Sequence, residues 1–72
     1  MDYKIILTNY PHPTITTGMH TNGPGRVWVE IDGQWYNTGS SKMHKVRLEL
    51  EENGPARIIA GTWNEYEKKG GA

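Results

Sequence analysis

Two tryptophans and an arginine are the residues of this chain best suited to recognition chemistry. In Arg26-Val27-Trp28-Val29-Glu30-Ile31-Asp32-Gly33-Gln34-Trp35-Tyr36-Asn37, the pair Asp32-Gly33 separates two short runs rich in β-branched and aromatic residues. Asp-Gly is a strong signal for a two-residue type I′ turn, because both central positions need positive φ. Such a turn sets the pairing: Ile31 opposite Gln34, Glu30 opposite Trp35, Val29 opposite Tyr36 and Trp28 opposite Asn37. Paired residues share a face. One face then holds Val27, Val29, Ile31 and Tyr36 and reads as core. The other holds Arg26, Trp28, Glu30, Trp35 and Asn37. It could stack a flat ring or anchor a protein, since Trp and Arg dominate interface energetics. The competing reading is that a barrel closes over these rings or that they only brace the hairpin. A three-residue loop would break the shared face.

The other candidates are weaker. Lys42, His44, Lys45, Arg47 and Arg57 form the one basic cluster, a phosphate-contacting stripe or ordinary solvated positions. Glu49, Glu51 and Glu52 follow directly and offset its field. His12, His20 and His44 lack a recognised ligand spacing, so no metal site is expected. Tyr10-Pro11-His12-Pro13 could present a recognition loop or simply keep a loop extended. Gly18, Gly23 and Gly25 lack the Lys-Ser/Thr pair of a phosphate cradle. No cysteine nucleophile or serine elbow is present. Glu30 and Asp32 are not expected to form an acid–base pair. The expectation is a non-enzyme without cofactors.

Several elements must position these residues. Tyr3-Lys4-Ile5-Ile6-Leu7-Thr8 reads as a first strand, with Tyr3, Ile5 and Leu7 on one face and Ile6 on the other. Residues 9–25 hold three prolines and three glycines and read as a long loop, with Thr14 to Thr17 as a short edge strand. Loops this long are often either functional or disordered. Residues 26–31 and 34–38 form the hairpin, and Thr38 to Ser41 a connector. Lys45-Val46-Arg47-Leu48-Glu49-Leu50 alternates like a half-buried strand, facing Val46, Leu48 and Leu50 inward. Glu51 to Pro55 reads as a turn and Ala56 to Trp63 as a last strand. Asn64 to Ala72 could form one helical turn and fray.

These elements predict an all-β single domain over residues 1–72, with an ordered β core at 3–63. It would be a small antiparallel sheet of four or five strands or an SH3- or OB-like barrel. The chain has 72 residues, no cysteine and a formal net charge of zero. So short a chain buries a modest core, which makes a homodimer plausible. The lack of cysteine argues against a disulfide scaffold and fits a reducing cytoplasm. There is no apolar run long enough for a membrane span, and Met1 to Leu7 does not resemble a secretory leader.

The expected function is a non-catalytic protein-binding module that modulates or inhibits a larger partner, in the style of small phage regulators. Its partner-binding residues would be Trp28, Trp35, Arg26, Glu30, Arg47, Lys45 and Tyr10. The alternative is a single-stranded nucleic-acid-binding domain, with bases on the tryptophans and Lys42, Lys45 and Arg47 along the backbone. Zero net charge disfavours it.

Overall fold

The computed structural model describes residues 2–18 and 23–63. Three strands, β1 (Tyr3–Thr8), β2 (Arg26–Ile31) and β3 (Gln34–Asn37), precede two short helices, α1 (Met43–Asn53) and α2 (Ala56–Ala60). The strands form one antiparallel sheet in the order β1-β2-β3. The expected all-β barrel of four or five strands is therefore corrected to an open three-stranded sheet backed by two helices.

The hairpin follows its turn chemistry. Asp32 and Gly33 both have positive φ, 52° and 82°. The register pairs Trp28 with Asn37, Val29 with Tyr36, Glu30 with Trp35 and Ile31 with Gln34. β1 adds to the other side of β2, with Ile5 opposite Val29, Ile6 opposite Trp28 and Thr8 opposite Arg26.

The second half of the chain is helical where strands were expected. Residues 45–50 alternate in polarity, but Met43, Val46 and Leu50 also recur at helical spacing. Leu, Met, Glu, Lys and Arg are strong helix formers. Side-chain exposure agrees with the helix. Leu48, inward in a strand, is 51% exposed, and Glu49, outward in a strand, is only 6% exposed. The helix runs through Asn53, three residues into the expected turn, and Gly54 then stops it with φ at 71°. Pro55 leads into α2, where a last strand was expected. The helix α2 ends in a Schellman motif: Gly61 N–H donates to the Ile58 carbonyl at 3.1 Å and Thr62 N–H to the Arg57 carbonyl at 2.9 Å. No strand forms at Thr14 to Thr17. Ile15 N–H instead donates to the His12 carbonyl at 3.0 Å, closing a turn. The expectation for residues 64–72 lies outside the described residues.

The helices cover one face of the sheet. Val27, Val29 and Ile31 of β2 form a buried cluster with Val46 and Leu50 of α1, Ile58 of α2 and Trp63. Ile5, Tyr36 and Met43 pack at its edge. Each aliphatic side chain buried this way contributes roughly 1.5–3 kcal/mol. Glu49 of α1 is buried and accepts from Arg57 on α2 through both carboxylate oxygens, one bond being Nε to Oε2 at 2.9 Å. Asn53 Nδ2 donates to the same carboxylate at 3.1 Å. The buried charge is thus paired and hydrogen-bonded, as burial requires.

Two junctions hold the loops to the sheet. At the β3 exit, Thr38 N–H donates to the Val27 carbonyl at 3.0 Å and Val27 N–H to the Ser40 carbonyl at 2.7 Å. The Thr38 hydroxyl also donates to the Val27 carbonyl, at 2.8 Å. At the β2 entry, Gly25 is buried with φ at 84°, and a Cβ there would lie 2.8 Å from the Thr8 carbonyl oxygen. Only glycine lets the returning loop pass so close to the end of β1.

Candidate partner-binding face

Strand alternation places Lys4, Ile6 and Thr8 of β1, Arg26, Trp28 and Glu30 of β2, and Trp35 and Asn37 of β3 on the face opposite the helices. Trp28 and Trp35 are both half-buried there. They sit diagonally across the hairpin, a separation that aromatic side chains can bridge. Ile6 lies beside Trp28 on the same surface.

The long loop returns over one end of this face. His12 meets Trp28 edge to face, with ring centroids 5.1 Å apart and planes inclined by 60°. His12 Nδ1 is fixed by Thr14, accepting its backbone N–H at 3.2 Å and lying 2.9 Å from its hydroxyl. Tyr10 N–H donates to the Thr8 hydroxyl at 3.1 Å, which pins the start of the loop. Between loop and sheet lies an open groove of about 340 Å³, lined by Thr8, Tyr10, Pro11, Pro24, Gly25, Arg26, Trp28 and Asn37. That volume is at the small end of the range for ligand pockets. Its wall combines one indole, one phenol, two proline rings, an amide and one cation.

Arg26 is held in place. Its Nη1 donates to the Gly25 carbonyl at 2.7 Å and to the Ser41 hydroxyl at 2.9 Å. Ser41 in turn donates to the same carbonyl at 2.6 Å. No carboxylate among the described residues forms an ion pair with Arg26. The guanidinium thus keeps its charge available at the groove.

A second, shallower groove of about 410 Å³ lies at the other end of β2, bordered by Asp2, Tyr3, Lys4, Glu30 and Asp32. Glu30 faces Lys4 Nζ at 3.9 Å, a long pair of small energetic weight whose lysine is exposed and whose glutamate is half-buried. Glu30 and Asp32, two residues apart and so on the same side of an extended chain, both border this groove. Among the described residues no three His, Asp or Glu side chains converge as a metal site. His44 is exposed on α1, and His20 lies outside the described residues.

The structure therefore gathers Arg26, Trp28, Glu30 and Trp35 on one surface and brings Tyr10 to its groove. It separates Lys45 and Arg47 from them. Both lie on α1, whose Val46 and Leu50 pack on the opposite face of the sheet. Arg47 reaches along its own helix to Met43 Sδ at 3.8 Å. Lys45 and Arg47 were expected beside the tryptophans because residues 45–50 read as a strand. Sequence reasoning passed over Thr8 as part of the site; it placed Asn37 on the face and His12 in a recognition loop without joining the two. The alternation of β1 held the signal for Thr8, since any strand that turns Ile5 inward must turn Ile6 and Thr8 outward. Nothing in the local sequence announced the contact between His12 and Trp28.

No family model, curated protein or solved structure matches the chain. No helix among the described residues is long and apolar enough to cross a membrane.

Proposed function

We propose that this chain is a non-catalytic protein-binding module that modulates or inhibits a larger partner, and that it binds through the outer face of its sheet. One observation carries the reading. Among the described residues, the helices cover one face, while the other holds Trp28 and Trp35 beside a groove where Arg26 has no ion-pair partner. Aromatic and arginine side chains on a rigid sheet are typical interface anchors. The proline and tyrosine walls of the groove suit an extended segment of a partner, which docks against aromatic surfaces at low entropic cost. A cysteine-free chain suits a reducing compartment, which supports a cytoplasmic setting.

Single-stranded nucleic acid is the less favoured ligand. Lys45 and Arg47, needed to follow its backbone, sit on α1. Of the outer-face cations, Lys4 already faces Glu30.

A random peptide library displayed on phage and panned against the immobilised full chain tests the proposal. Enriched peptides should bind the wild type and lose at least about tenfold in affinity on Trp28→Ala plus Trp35→Ala. Enriched peptides that bind the double variant equally well would contradict it.

A further inference from the structure

The outer face is polarised along β2. At one end stands Arg26, with no ion-pair partner among the described residues. At the other end Asp2 and Asp32 border the shallow groove, both exposed and neither ion-paired among the described residues. Between the ends lie Ile6, Trp28 and Trp35, all half-buried. The loop overhangs the Arg26 end, through Tyr10 and Pro11, while the Asp32 end carries the open groove.

Such a stripe is complementary to itself. A two-fold axis lying in the interface and running across the strands turns one face onto the other with β2 reversed. Arg26 of each copy then meets the acidic end of its mate, the overhanging loop meets the open groove, and the aromatic centres close on each other. An isologous interface demands this arrangement, in which each end contacts its opposite. We infer that the outer face closes onto the same face of a second copy, forming an antiparallel two-fold dimer. Charge favours this occupant, because a second copy necessarily carries the matching polarity. Zero net charge means that copies approach without a net repulsion.

This inference shares its surface with the proposed partner site but does not depend on it for the dimer. Its functional consequence rests on that reading: a larger partner must compete with the second copy.

Charge-swap sedimentation equilibrium at low salt tests the dimer. The first variant is Arg26→Glu. The second is Asp2→Lys with Asp32→Asn, which keeps a residue suited to the turn at position 32. The wild type should be dimeric, and each variant alone should dimerise at least about tenfold more weakly. An equal mixture of the two should recover the dimer, because every end again meets its opposite. If Arg26→Glu does not fold, Arg26→Gln should weaken the dimer while retaining a hydrogen-bond donor. A wild type that stays monomeric at millimolar concentration would overturn the inference. So would a dimer insensitive to these variants, or a mixture that fails to recover. None of these results touches the peptide selection on the tryptophans, so the two ideas fail separately.

Discussion

The rings of His12 and Trp28 meet in an edge-type contact, with centroids 5.1 Å apart. This contact ties the proline-rich loop to the outer face of the sheet. The groove beside Trp28 exists because the loop is held there, by His12 on the indole and by Tyr10 on the Thr8 hydroxyl. An aromatic pair of this kind contributes about 0.5–1.5 kcal/mol, enough to bias a loop without bracing the whole fold.

His12→Ala should therefore loosen the loop locally. Amide hydrogen exchange in residues 9–18 should accelerate several-fold, while α1 and β2 keep their protection. Equal acceleration in β2 would mean that the contact supports the core instead.

Binding should depend on the side of the sheet that a residue occupies. Trp28→Ala should weaken a selected peptide by about 2 kcal/mol or more, as truncation of an interface anchor does. Lys45→Ala and Arg47→Ala, on the helical side, should change affinity by less than about 0.5 kcal/mol. Isothermal calorimetry on the three variants separates the two sides.

Glu49 is the most consequential charge inside the fold. Arg57→Ala would strand its buried carboxylate, with Asn53 the one donor left to it among the described residues. Because Arg57 is itself partly exposed, the cost should fall below that of a fully buried pair, at about 2–3 kcal/mol. Urea denaturation should show it as a lower midpoint with an unchanged slope. A shift under about 0.5 kcal/mol would mean that water reaches Glu49 and replaces the guanidinium.

Gly25 and Gly33 have similar positive φ, 84° and 82°, but different surroundings. A Cβ at Gly33 meets open space, while one at Gly25 meets the Thr8 backbone. Gly33→Ala should cost about 1–2 kcal/mol from backbone conformation alone. Gly25→Ala should cost more, since the end of β1 must also move. Comparing the two denaturation midpoints isolates the steric part.

The first strand and the hairpin were legible because their signals are local, whereas the edge strand expected at Thr14 to Thr17 does not form. Asp32-Gly33 specifies a turn, the turn specifies the register, and the register separates Trp28 from Val29. The second half misled because Lys45 to Leu50 satisfies two periods at once. Alternation by twos is visible in six residues, whereas the helical period needs Met43, Val46 and Leu50 taken together. Gly54-Pro55 was read as a turn between strands, although it serves equally as a helix stop. The ion pair of Glu49 with Arg57 spans two helices and becomes visible only once both are known. The groove depends on how the loop returns over Trp28, which no periodicity encodes.

The three indole Nε1–H signals in a ¹H–¹⁵N correlation spectrum test the central claim most directly. Trp28 and Trp35 lie on the outer face, and Trp63 is buried in the core beneath the helices. Titration with a peptide selected on the wild type should move the Trp28 and Trp35 signals and leave Trp63 in place. Shifts confined to Trp63 and the amides of α1, with Trp28 and Trp35 unmoved, would show that partners bind the helical side and would contradict this account.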